Sequence, residues 1–148
     1  MGLLDVLAGG PVYLDTNIWI YALENYTKYT QHLGALFQAL DEGALTAVTS
    51  ELTLAEVLVK PMQREDTEQQ TICERFIRST NHLAVVPVSR AILIDAARVR
   101  TRTQLKLPDA IHVATAIGTD CKTLLTNDQQ LRRTPNISVV LLSEAIAV

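Results

Sequence analysis

Asp15, Glu56, Asp109 and Asp128 are the residues of this chain whose type and setting could do chemistry. Asp15 follows a short β-type run over residues 11–14, and Asp128 follows another over residues 123–126. Glu56 stands inside the apolar stretch 54–59, and Asp109 comes directly after Pro108 at a helix start. Each acid alone has an ordinary reading: an aspartate at a helix N-terminus caps it or complements its dipole, and Glu56 can be the exposed position of its turn. Jointly these readings are harder to hold, because converging carboxylates repel one another unless a cation neutralises them. Oxygen donors without His or Cys suit Mg²⁺ or Mn²⁺, and such an ion can orient a phosphodiester and activate water near neutral pH. The chemistry implied is phosphodiester hydrolysis.

For four acids so far apart in sequence to meet, the chain must alternate strands and helices. Strands are predicted at residues 11–14, 45–49, 83–88, 123–126 and 138–142 from short β-branched and aliphatic runs. Between them, 26–42 carries apolar residues at helical spacing and stops at Gly43, the position a helix terminator takes. Ser50 caps a helix that should end before Pro61; a more polar helix covers 64–79; Ser89 caps one running to about Arg102; and Leu107-Pro108-Asp109 opens another, to Ile117. This alternation predicts an α/β fold of three layers, α/β/α, around a mostly parallel sheet. In such sheets ligands gather at the carboxyl ends of strands near a topological switch point, which is where Asp15 and Asp128 fall.

Composition narrows the rest. At 148 residues, 48% hydrophobic and 20% charged, the chain has enough apolar surface for one core, and residues 1–148 are expected to form one domain. Only 5% of residues are aromatic, which disfavours base stacking as the main mode of binding. The net charge of −3 argues against a general polyanion binder, yet it comes largely from the four acids themselves. Cys73 and Cys121 lie too far apart for a zinc motif and are too few for a disulfide framework, so reduced thiols in a cytoplasmic protein are expected. No charged n-region precedes the first apolar residues and no run is long enough to span a bilayer, so no membrane association is expected.

The segments VYLDTNIWIYALE, SELTLAEVL, LPDAIHVATAI and LLTND, in this order, resemble the motifs of the PIN-domain family, and the compact form resembles toxin ribonucleases of VapC type. The resemblance runs from about Val12 to Leu142 and implies the PIN-like α/β/α fold. It also implies a metal-dependent endoribonuclease, the toxin of a type II toxin–antitoxin pair. Its acidic quartet falls on Asp15, Glu56, Asp109 and Asp128. Asp15 and Asp109 would be the principal ligands of Mg²⁺ or Mn²⁺, and Glu56 and Asp128 would complete the shell, partly through water, or orient the attacking water. Thr126 matches a supporting hydroxyl and Asn17 the polar third residue of the DTN motif. The implied partners are an RNA substrate, a small cognate antitoxin and a second copy of the chain in a homodimer.

Basic residues gather at Arg90, Arg98, Arg100, Arg102 and Lys106, leading into the helix that presents Asp109. Arg98 and Arg102 share a helix face, and with Lys106 they are the candidates to hold an RNA backbone beside the acids. The plainer account is a solvated helix end whose cations suit the dipole. His112, a turn beyond Asp109, reads better as a packed or supporting group than as a general base. No serine lies in a G-x-S-x-G elbow, so covalent catalysis has no support. The alternative function is a non-catalytic PIN-type RNA-binding or scaffolding module. A phosphoacceptor domain using Asp15 fits poorly, lacking a companion acid pair and a late strand-end lysine.

Overall fold

The computed structural model describes residues 2–146. Three central strands, β1 (Val12–Leu14), β2 (Ala47–Ser50) and β4 (Thr123–Thr126), are buried along their whole length, whereas β3 (Leu83–Val86) and β5 (Ser138–Leu141) are partly exposed edges. The order is β3-β2-β1-β4-β5 and every pair is parallel, with Val12 opposite both Ala47 and Thr123 and Leu14 opposite Leu125. Burial on both faces is what helical crossovers give a parallel sheet, and the three-layer α/β/α expectation holds.

Alternation along β1 divides the core. Val12 and Leu14 join Leu33, Leu36, Trp19 and Val57 on one face, while Tyr13 joins Val48, Val113 and Leu124 on the other. The first face is covered by α1 (Leu3–Leu7), α2 (Thr16–Leu23), α3 (Thr30–Asp41), α4 (Glu51–Gln63), α5 (Thr67–Phe76) and α8 (Leu142–Ala145). The second is covered by α6 (Arg90–Thr103) and α7 (Leu107–Gly118), which meet through the buried small residues Ala96, Ala110 and Ala114. After β1 the chain builds outward through β2 and β3, then returns to β1's other side for β4 and β5. This reversal puts the switch point between the carboxyl ends of β1 and its neighbours.

Several boundaries move from their predicted places. The predicted helix over 26–42 begins at Thr30, and Gly43 follows its end with φ +77°, where a Cβ would lie 2.9 Å from the His82 ring. Helix α4 continues through Pro61 to Gln63: near the C-terminal end a proline sacrifices only one helical bond, and its own carbonyl accepts from Asp66 N at 2.9 Å. The predicted helix over 64–79 starts only at Thr67, since Glu65 takes φ +55° and the Asp66 side chain then caps the new helix through Gln69 N. The segments 3–7, 16–23 and 142–145 form helices that periodicity did not assign. Among the described residues no helix is long and apolar enough to cross a membrane.

Candidate metal and nucleic-acid site

Asp15 occupies the turn from β1 into α2, and its first duty is the ordinary one, since Oδ1 accepts from Thr16 N at 2.9 Å and caps the helix. Its Oδ2 accepts from Thr126 Oγ1 at 2.8 Å and Asn17 Nδ2 at 3.3 Å. Asn17 Nδ2 also reaches Thr126 Oγ1 at 3.1 Å, while Asn17 Oδ1 accepts from Asn127 N at 3.1 Å. Asn17 and Thr126 thus tie the end of β1 to the end of β4. Burial, the largest effect, pushes the Asp15 carboxyl above its ordinary value, and His112 and these hydrogen bonds offset it only in part.

Asp128 starts the 3-10 helix Gln129–Arg133, its Oδ1 accepting from Gln130 N at 2.9 Å and its own N–H donating to Thr126 Oγ1 at 3.0 Å. Between these residues, Asn127 fastens the loop. Its Nδ2 donates to the hydroxyls of Tyr29 at 2.9 Å and Tyr21 at 3.3 Å, and its Oδ1 accepts from Ser143 N at 2.9 Å.

Glu56 projects from α4 with a third of its side chain exposed. Its Oε1 accepts from Thr16 Oγ1 at 2.7 Å and lies 2.6 Å from His112 Nε2. Burial alone would raise this carboxyl, but the bonds from His112 and Thr16 outweigh it and hold Glu56 below the usual glutamate value. His112 is buried on α7, with Nδ1 2.6 Å from the Tyr13 hydroxyl and Nε2 4.0 Å from Asp15 Oδ1. Burial opposes its charged form, but Glu56 and Asp15 more than compensate and raise its pKa.

Asp109 sits in the first turn of α7, half-buried, with no side-chain hydrogen bond among the described residues. Desolvation first, then the charges of Asp15, Asp128 and Glu56, push its carboxyl above the ordinary aspartate value, while His112 pulls the other way. The structure therefore places Asp109 within electrostatic reach of Asp15, Asp128 and Glu56. It does not close them on one point: among the described residues no three His, Cys, Asp or Glu side chains stand close enough to hold one ion. The residues fit a hard divalent cation in donor type and charge, being oxygen donors that repel one another, rather than in spacing.

The basic candidates differ among themselves. Arg98 pairs with Asp95 at 2.8 Å and Arg100 donates to Leu105 O at 2.8 Å, whereas Arg102 and Lys106 are exposed, Lys106 at the N-cap of α7. On the opposite flank a cavity of about 320 Å³ between α2, α4 and α5 has Glu56 at its edge and Lys60, Arg64 and Glu24 on its walls. Sequence reasoning passed over Thr16, Tyr13 and Asn127. Thr16 and Asn127 each stand beside a singled-out residue, which was a usable signal; Tyr13 gave none, because its partner lies 99 residues away.

Solved structures of similar fold include VapBC2 from Rickettsia felis bound to a promoter DNA fragment, at 22% identity and TM-score 0.70 over 88% of this chain and 98% of that one. A toxin–antitoxin complex from Klebsiella pneumoniae is 25% identical, at TM-score 0.63 over 87% and 95% of the two chains. The Mycobacterium tuberculosis toxin VapC20, which cleaves the sarcin–ricin loop, is 14% identical, at TM-score 0.62 over 76% and 86%. Among curated proteins no sequence matches the chain significantly. The PIN domain model matches residues 12–137, spanning β1 to β4 and all four acids, and the chain belongs to the PIN domain family.

Proposed function

We propose that this chain is a divalent-metal-dependent endoribonuclease acting as the toxin of a toxin–antitoxin pair, with residues 1–148 as one functional domain. The observation that carries the reading is Asp109: a carboxyl with no side-chain hydrogen bond among the described residues, raised first by burial and then by the charges of Asp15, Asp128 and Glu56, near the switch point of a parallel sheet. The likeness to structures from toxin–antitoxin complexes supports the biological setting.

Asp15 and Asp109 are assigned as the principal metal ligands, Asp128 as completing the shell, and Glu56 as completing it or orienting water. A bound Mg²⁺ or Mn²⁺ would neutralise the carboxylates, polarise the scissile phosphate and make water more acidic. The chain's own contribution is placement. Thr126 and Asn17 hold the Asp15 carboxylate, and Asn127 anchors the loop carrying Asp128. Arg102 and Lys106 are assigned to the RNA backbone, with Arg98 reaching it only by leaving Asp95. A cognate antitoxin would silence the site by placing an Arg or Lys among the acids, since a cation there replaces the metal's charge.

Purified protein is expected to cleave single-stranded RNA with Mg²⁺ or Mn²⁺ and to stop with chelator, and Asp109→Asn is expected to abolish cleavage with the fold intact. Full activity of that variant, or cleavage that resists chelator, overturns the assignment. A non-catalytic RNA-binding module has one observation in its favour, the lack of a closed three-ligand cluster among the described residues. Metal-independent RNA binding without cleavage would establish it instead.

A further inference from the structure

His112 places both ring nitrogens against polar partners while its side chain is 1% exposed, and those partners come from three other elements: Tyr13 on β1, Thr16 on α2 and Glu56 on α4. A buried imidazole carries a desolvation penalty for each ring nitrogen left without a partner, and both nitrogens of His112 have one. Here the contacts at 2.6 Å on each side also specify where the protons are. Glu56 Oε1 is a carboxylate oxygen that already accepts the Thr16 hydroxyl hydrogen at 2.7 Å, and so acts as an acceptor. The hydrogen between it and the ring therefore belongs to Nε2, because a bare Nε2 would set two lone pairs face to face. Tyr13 is buried and its phenol, pushed well above its ordinary value by burial and then by Asp15, keeps its proton. The hydroxyl can donate to Nδ1 of a neutral ring or accept from a charged one, and Nε2–H faces Glu56 in both cases.

We infer that His112 is a positioning residue: braced by the Tyr13 hydroxyl at Nδ1, it holds Glu56 Oε1 through Nε2–H, so that Glu56 serves the acidic site through Oε2 alone. Thr16 Oγ1 donates to the same Oε1 at 2.7 Å, so one oxygen carries both bonds, and Oε2 has no hydrogen-bond partner among the described residues. A glutamate on a partly exposed helix face has three side-chain torsions to lose, and two bonds to one oxygen fix the other's direction before substrate arrives. A monodentate Oε2 suits a carboxylate that meets the cation's outer face or its attacking water. It does not suit a bidentate ligand. Groups that orient a metal-site side chain from behind in this way are worth about 10–100-fold in affinity or activity. The inference rests on the nuclease reading for the role of Glu56, and on geometry alone for the bond.

Two readouts test it. Long-range ¹H–¹⁵N spectra of the metal-free full chain, labelled at histidine, are expected to show the His112 ring protonated at Nε2, with that signal shifting in Glu56→Ala. In cleavage assays with Mn²⁺, His112→Ala is expected to lose about 10–100-fold in kcat with KM for RNA little changed. His112→Gln, whose amide can stand near Nε2–H, recovers most of it, and Tyr13→Phe falls between. Should His112→Ala fail to fold, Tyr13→Phe, His112→Gln and the wild-type spectrum carry the test. A ring protonated on Nδ1 alone, or folded His112→Gln no better than His112→Ala, overturns the inference. If the wild type cleaves no RNA at all, the nuclease reading falls and the role assigned to Glu56 falls with it. A cleaving wild type with an indifferent His112→Ala overturns the positioning role alone.

Discussion

Asp15 at the carboxyl end of β1 and Asp109 in the first turn of α7 lie within reach of each other's charge, and the fold treats them differently. Asp15 is surrounded by donors: a backbone N–H from its own helix, the Thr126 hydroxyl and the Asn17 amide fill its oxygens. Asp109 has no donor among the described residues, and the charges of Asp15, Asp128 and Glu56 act on it with only His112 opposing them. Both carboxyls are raised, Asp15 chiefly because burial outweighs its hydrogen bonds, Asp109 because burial and repulsion act together. One acid is thus built into the architecture, while the other is held against neighbouring negative charge with only His112 and the N-terminus of α7 in its favour. This contrast separates a hydrogen-bonded cap from a carboxyl without a described donor, a distinction the sequence alone did not carry.

If the contrast reflects a cation site, the ion should stabilise the fold. Mn²⁺ at a hundredfold excess over Kd adds about 2.7 kcal/mol to a folded state that alone binds it. At this chain length that is roughly 5–10 °C in melting temperature. A melting curve unchanged by Mn²⁺ breaks the comparison outright. The bonded half is probed by Thr126→Val, which keeps the shape but removes the hydroxyl shared by Asp15, Asn17 and the Asp128 N–H. Leaving those groups short of a partner should cost about 1–3 kcal/mol, read as a lower urea midpoint with unchanged slope. A neutral Thr126→Val would mean the network is ornamental.

The same distinction between occupied and free charges applies along α6. Arg98 already has Asp95, whereas Arg102 and Lys106 have no ion-pair partner among the described residues. Replacing Arg102 and Lys106 together by Ala should lower the salt slope of RNA binding by about 1.4, at roughly 0.7 per lost phosphate contact on a single strand. Arg98→Ala should change it less. Equal slopes for all three residues would return this stretch to a solvated helix end.

How much of this was legible beforehand follows from what each feature depends on. The strand ends at Asp15 and Thr126, the caps at Ser50 and Ser89 and the stop at Gly43 are local decisions, set by side chains within a few residues, and they read directly. Helix α2 did not, because TNIWIYAL is apolar on nearly every face and gives periodicity little to detect. Pro61 misled because a proline's local cost can be outweighed by tertiary packing, and its ring is buried here. At the site, the four acids stood out by context, and Asn17 and Thr126 by their match to the family's motifs. The Tyr13–His112–Glu56 chain was not legible, because it depends on the register of β1 against α7 and α4, with links spanning 99 and 56 residues.

The smallest expected effect is the sharpest test of the difference between Asp15 and Asp109. In chelator at neutral pH, Asp109→Asn removes a charge that repels Asp15, Asp128 and Glu56 and breaks no described hydrogen bond, so the variant should melt above the wild type. The gain should be roughly 1–4 °C, as expected for relief of up to about 1 kcal/mol at a half-exposed site. Asp15→Asn should not share it, because an amide nitrogen would face the Thr126 and Asn17 donors that the carboxylate now accepts from. The pH dependence fixes the cause. A carboxyl raised by folding is least unfavourable when protonated, so its penalty is fully present above its folded pKa and gone below its unfolded one. The advantage of Asp109→Asn should therefore be constant near neutrality, shrink as pH falls through the raised carboxylate range, and vanish below the ordinary one. His112, whose pKa Asp109 helps to raise, adds to the difference wherever the ring itself titrates. An advantage that persists at low pH would assign it to helix propensity or packing, and Asp109 would lose its claim to be an acid held against repulsion for a cation.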